Sequence, residues 1–319
     1  MPLSLLIIAR TVQMGASLLL AGVFTFELFV LRAAGQPNSG NLGAMRQLLW
    51  LAWWSAVAAL LSAVLWFGFE MTSMSRLSLA EAVSGTTWRT VLFATRFGHV
   101  WQFRLLLLLA CLVLIGLRGL MGHAQHALTF FLWLSASIFL VSLAWISHAA
   151  AAGEQPLGVI GDALHLAAAG VWLGGLTCLA IYLAKTGGSA SPAVLRRFSS
   201  LSFSCVLVLT LSGLSNAWLL VGSVDALFTT RYGALLLGKL GLFGLLVVLG
   251  ARNRVVVRSF PAETALDALS RLRRGVGGEI ALGGAVIVIV GWLGVTPPPR
   301  VTGAPSAPPR PDIAAMRIT

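Results

Sequence analysis

The sequence predicts an all-α integral membrane protein of eight transmembrane helices, built as a parallel duplication of a four-helix unit. Composition is the first reason: 58% of the residues are hydrophobic and 10% charged, with a mean hydropathy of +0.90. The second is spacing. Apolar stretches near 3–31, 47–69, 99–117, 127–148, 157–184, 199–222, 232–251 and 278–296 are each about the length that crosses a bilayer core of roughly 30 Å. The third is an internal repeat. Thr95-Arg96-Phe97-Gly98, with Arg104 beyond it, enters span 3, and Thr230-Arg231-Tyr232-Gly233, with Lys239 beyond it, enters span 7. Segments four spans apart enter the membrane from the same side, which relates the halves by an axis along the membrane normal.

The first stretch is too long for a removable signal peptide and reads as span 1. Between spans 2 and 3 an amphipathic segment, about 79–97, is expected to lie as a helix at the interface. Pro156 suits the first turn of span 5. The loop at about 252–277 is basic and helical around 262–272, and a proline-rich tail, 297–319, is expected to be disordered. The two halves are then 1–148 and 149–296. Eight spans leave no room for a soluble catalytic domain, and no enzymatic activity is expected. Cys111, Cys178 and Cys205 all fall inside spans without a paired spacing and read as small packing residues.

The formal charge of +12 raises a nucleic-acid reading, which its distribution refutes. Twelve loop cations (Arg32, Arg46, Arg118, Lys185, Arg196, Arg197, Arg252, Arg254, Arg258, Arg271, Arg273, Arg274) fall on one side, and four (Arg76, Arg89, Arg96, Arg231) on the other. The positive-inside rule places the twelve in the cytoplasm and both termini outside. The charge records topology, with the lipid bilayer as partner and no nucleic acid.

Ionisable groups inside spans are costly and therefore functional candidates. Most fall at the outer ends: Arg10, Gln13 and Met14 on span 1, His99, Gln102 and Arg104 on span 3, His148 on span 4, Asp162 and His165 on span 5, Asn216 on span 6 and Lys239 on span 7. Two histidines with a carboxylate between them suit a borderline or soft metal. Asp162 and His165 share a helix face at i,i+3. Asp162 either orients a ligating imidazole or neutralises Arg104 or Lys239. Met71 and Met74 offer thioethers at the entrance, suited to Cu(I), and equally suit packing of the interfacial helix. The repeat places Arg104 and Lys239 at equal depth as walls of one watery vestibule. Glu27 and Glu279 fall near the inner face, within reach of Arg32 or the basic loop.

Several segments resemble the copper resistance D (CopD) family: Ser147-His148, Asp162 to Gly175, Arg197-Phe198-Ser199, Arg231-Tyr232-Gly233 with Lys239, Ala251 to Arg254, and Arg273 to Glu279. The resemblance implies copper homeostasis, with copper ions moving from periplasm to cytoplasm across the inner membrane, and marks His148 and His165 as family histidines. It also implies a possible partner, a periplasmic copper chaperone of the C type. The metal candidates are therefore His148, His165, Asp162, His99, Met71 and Met74. No phosphate-cradling GxxxxGK[ST] sequence is present, so ATP does not drive the movement. Two alternatives stand beside transport: a b-type haem protein using His99, His148 and His165, and a non-transporting docking partner for the chaperone.

Overall fold

The computed structural model describes residues 3–35, 42–118, 125–147, 156–186, 190–259 and 265–302. Eight helical segments are long and apolar enough to cross a membrane: Leu3–Ala34, Leu42–Ser75, Arg96–Arg118, His126–Ile146, Leu157–Thr186, Pro192–Val221, Arg231–Arg258 and Asp267–Leu293. These are spans 1 to 8 in chain order. Helix runs past the apolar stretches at several ends. That of span 8 begins at Ala265, inside the basic loop, where Asp267 in the first turn complements the helix dipole.

The interfacial segment forms two short helices, not one. Leu79–Ser84 starts on a capping box, in which Ser78 Oγ accepts the Glu81 amide and the Glu81 carboxylate reaches back to Ser78. The chain breaks at Gly85 and resumes as Thr87–Ala94. The tail also departs from expectation. Pro299–Thr302 is a helical turn, and Arg300 donates to the Trp218 carbonyl at 3.4 Å. The remainder, 303–319, lies outside the described residues.

Spans 1 and 5 are the centre of the molecule, with 72% and 61% of their apolar windows buried against 22% for span 3 and 11% for span 7. Span 1 packs on spans 2, 4, 5 and 8, and span 5 on spans 6, 8, 1 and 4. Span 3 packs on spans 2 and 4, and span 7 on spans 6 and 8. Exchanging 1 with 5, 2 with 6, 3 with 7 and 4 with 8 leaves these pairings unchanged. Small residues make the central crossing possible: a Cβ on Gly22 would sit 2.5 Å from the Gly174 Cα and 3.0 Å from the Gly170 carbonyl. In turn, a Cβ on Gly174 would strike the Leu18 carbonyl. Backbone meets backbone here, as small residues permit between membrane helices. Span 5 carries a π-helical turn, Gly170–Gly174, at this crossing, and span 1 carries another at Phe26–Leu31.

Spans 3 and 7 begin on the same local device. Thr95 Oγ1 donates to the Val91 carbonyl at 2.6 Å and accepts the Gly98 amide at 2.9 Å. Thr230 Oγ1 donates to the Ala226 carbonyl at 2.6 Å and accepts the Gly233 amide at 3.0 Å. Each threonine follows a short helix, Thr87–Ala94 or Val224–Thr229, and has extended φ and ψ. Gly98 and Gly233 have no room for a side chain, because a Cβ would collide with the Val91 and Leu227 carbonyls respectively.

Thr95→Ala and Thr230→Ala should therefore each remove about 1 kcal/mol, by loss of an N-cap. Thermal unfolding in detergent should show similar shifts for the two. Gly174→Leu should be far worse, because overpacking a close crossing costs roughly 1–3 kcal/mol or more; loss of a monodisperse peak on size exclusion would register it. Hydrogen bonding from Ser78 holds the Glu81 carboxyl below its ordinary value. The cap is thus fully present above the ordinary glutamate value and is lost as pH falls through the lower folded one. Amide protection factors at residues 79–84, taken relative to intrinsic exchange at each pH, should fall in acid, and Glu81→Ala should remove that dependence.

Candidate functional site: a polar cavity beside the central crossing

A cavity of about 250 Å³ lies at the end of the bundle that carries the short helices. Spans 1, 5, 6, 7 and 8 wall most of it, with the ends of spans 2 and 4 contributing Trp66 and Ser147. Helical spacing explains the lining: Arg10, Gln13 and Met14 form one face of span 1, and Tyr232, Leu236 and Lys239 one face of span 7. Asp162, His165 and Ala169 continue the surface down span 5 to Leu173 at its floor.

His165 is held from behind. Its Nδ1 lies 3.0 Å from Ser212 Oγ, and that hydroxyl gives its own hydrogen to the Val208 carbonyl at 2.6 Å. With that hydrogen on Val208, Ser212 accepts from Nδ1, an arrangement that fits the Nδ1–H tautomer with a lone pair on Nε2. Gly213 leaves space for the ring, since a Cβ there would lie 3.4 Å from Cε1. Asp162 accepts from Asn216 Nδ2 at 3.2 Å, and Lys239 shares the same cavity. Gln13 is 1% exposed; its Oε1 accepts from Ser62 at 2.6 Å, while its Nε2 has no partner among the described residues. At the rim Arg10 donates to the Gly294 carbonyl and stands 4.9 Å over the Trp66 ring. Glu70 lies 3.8 Å from Arg10 and accepts from the Trp66 indole at 2.9 Å.

The structure therefore brings Asp162 and His165 together with Lys239 and does not bring all the other candidates to them. His148 lies outside the described residues; its neighbour Ser147 lines the cavity. His99 is exposed and its Nε2 bonds the Phe93 carbonyl at 2.9 Å, which ties it to the short helix before span 3. Met71 is 2% exposed and packs with Ala82 and Val91 under the short helices, and Met74 is half exposed. The methionine that faces the cavity is Met14, one helical turn from Arg10. Its position on the polar face of span 1 was the available signal. Among the described residues no three His, Cys, Asp or Glu side chains cluster.

Arg104 corrects the expectation of a shared vestibule. It is 4% exposed, stacks on Phe139 at 4.3 Å, and donates to the Phe139 carbonyl at 2.6 Å and Ser142 Oγ at 2.8 Å. The corresponding space in the first half is filled by Trp66, Phe97 and Trp101, leaving about 10 Å³. Only the Lys239 side stays open. Asp162 therefore shares its cavity with Lys239 and not with Arg104.

Eight spans define a multi-pass integral membrane protein, with the cavity as its candidate site. Residues 192–293 match the family described as copper resistance protein D, and residues 1–159 match the copper resistance protein D-like N-terminal domain. The chain belongs to the copper resistance protein D family. It is 30% identical over 308 residues to copper resistance protein D of Pseudomonas syringae pv. tomato, covering 90% of this chain and 94% of that one. It is 33% identical over 221 residues to the copper transport protein CutJ of Bacillus subtilis, covering 66% of this chain and 39% of CutJ. It therefore spans well under half of CutJ's length. It is also 28% identical over 259 residues to the inner membrane protein YebZ of Escherichia coli, covering 74% of this chain and 83% of that one. No solved structure matches the chain.

The tautomer assignment is directly measurable. Nitrogen NMR of histidine-labelled protein should show one neutral imidazole protonated at Nδ1, and Ser212→Ala should shift that resonance while His165→Ala removes it.

Proposed function

We propose that this protein moves copper ions from the periplasm to the cytoplasm across the inner membrane, without ATP, through a site centred on His165. The observation that carries the reading is the imidazole itself. It lines a membrane-embedded cavity with Nε2 unprotonated and its ring fixed by Ser212, the arrangement usual for a metal-ligating histidine. Met14 adds a thioether suited to Cu(I). His148 would add a second imidazole from the end of span 4. A few ligands beside a cation, Lys239, allow capture without trapping the ion. The names of the related copper proteins support copper as the substrate. The haem alternative draws less support from His99, which is exposed beside the short helix before span 3 and does not line the cavity. The protein has no catalytic role in this reading, and a periplasmic copper chaperone of the C type would deliver the ion at the cavity mouth.

In proteoliposomes, His165→Ala should abolish most copper uptake with membrane insertion intact. Ser212→Ala should weaken apparent copper affinity by roughly 10–100-fold, as expected for loss of an orienting partner. Unchanged uptake in His165→Ala would defeat the reading. A purified protein with a Soret band would favour haem.

Topology forms part of the same proposal. Cations dominate the end opposite the cavity: Glu27 there binds Arg32 at 2.7 Å and Arg118 at 2.6 Å. The positive-inside rule makes that end cytoplasmic and both termini periplasmic. A reporter fused after Thr319 should be active only as a periplasmic enzyme.

A further inference from the structure

We propose that Glu279 is a proton-carrying site in the half of the membrane away from the cavity, exchanging its proton for the cation that descends from the cavity. The exchange rests on the copper-transport reading above; the protonated carboxyl itself does not.

Glu279 is 3% exposed on span 8, and no Lys or Arg nitrogen lies within ion-pair distance among the described residues. Glu27 at the same end makes the contrast, since two arginines and Thr129 neutralise and bond it. A carboxylate in such a place carries a desolvation penalty that no counter-charge offsets. A bound proton removes it.

The charged neighbours are all accounted for. Span 8 packs on spans 1, 5 and 7. On span 7, Arg254 donates to the Ser199 carbonyl and stacks on Phe203, while Arg252 and Arg258 are exposed. On span 5, Lys185 is exposed, Tyr182 Oη accepts the Ser191 amide, and the Cys178 thiol is fully buried. On span 1, Glu27 is taken. On span 8 itself Arg273 donates to the Leu183 carbonyl, and Arg271 and Arg274 are exposed. None of them faces Glu279.

What does face it is a fitted cradle. Asn253 Nδ2 donates to Glu279 Oε1 at 2.5 Å, and the Trp172 indole stands beside the carboxyl. Two glycines make the fit reciprocal. A Cβ on Gly250, one turn before Asn253, would approach Glu279 Oε2 to 3.5 Å, and a Cβ on Gly275, one turn before Glu279, would collide with Asn253.

The place suits exchange. Val286, which lines the cavity, stands two turns further along span 8, about 10 Å away at 1.5 Å per residue. Leu173 closes the gap at the cavity floor, pressed against Gly283, and Trp172 follows it. Both ride on the π-helical turn Gly170–Gly174, an interruption often found at functional sites. For a monovalent ion the exchange is electroneutral: the cation takes the carboxylate, the proton leaves toward the cavity, and the cytoplasmic side reprotonates Glu279 once the cation departs. Only one positive charge then occupies this low-dielectric region at a time.

The test uses the full chain in lipid vesicles with the basic end facing a lumen that holds a pH-sensitive dye. Imposed copper should enter and turn the lumen alkaline, and entry should quicken as luminal pH falls. Glu279→Gln keeps the shape and the Asn253 contact, and should lose both the alkalinisation and the pH response. Copper entry with no proton movement in the wild type, or the same proton movement in Glu279→Gln, would overturn the exchange while leaving copper transport standing. If the wild type moves no copper, the transport reading fails on its own. Infrared titration of the purified protein then decides the site: a protonated-carboxyl stretch missing from Glu279→Gln supports it, and an unchanged spectrum overturns it.

Discussion

Everything in this molecule is arranged around the contact of two backbones. Gly22 on span 1 and Gly170 and Gly174 on span 5 admit an approach that any side chain would prevent. In lipid, helices gain little from burying apolar surface against each other, and close packing of small residues takes over. That contact fixes the rotation of both central spans. It turns Arg10, Gln13 and Met14 toward Asp162 and His165 at one end, and Glu27 toward Arg118 at the other.

The two ends solve the problem of buried charge differently. At the basic end Glu27 is saturated by two arginines, a closed network that holds spans 1 and 3 together. At the cavity end the pairing is looser: Lys239 and Asp162 share a space large enough for solvent, and Arg10 stays partly exposed beside Glu70. Buried ion pairs gain little unless geometry is complete. The Glu27 network therefore reads as scaffold, and the open end as the place where a ligand completes the coordination. The halves share their pattern of neighbours and their threonine caps, but aromatic side chains have filled one of the two equivalent spaces.

Much of this was legible in the sequence. Hydropathy located all eight spans, because roughly 20 apolar residues have few other uses. Thr95 and Thr230 marked the repeat, since polar residues stand out against an apolar background, but their role as helix caps came only from the structure. Span rotation was not legible. Arg104 and Lys239 occupy matching positions in the repeat, yet Arg104 turns to the broken end of span 4, where its last carbonyls need donors. Met71 and Met14 are both methionines at the cavity end of a span. Only the packing of the short helices over Met71 and the face that Met14 shares with Arg10 separate them. Asn253 and Glu279 are 26 residues apart, and nothing in the chain announces that two glycines interlock them.

The central claim is that the Nε2 of His165 takes copper inside the cavity, with its tautomer set by Ser212. X-ray absorption on copper-loaded protein in lipid addresses this most directly, because it reports the ligand atoms themselves. The account predicts imidazole nitrogen in the first coordination shell, lost in His165→Ala and weakened in Ser212→Ala. A shell that is the same in all three proteins would contradict it.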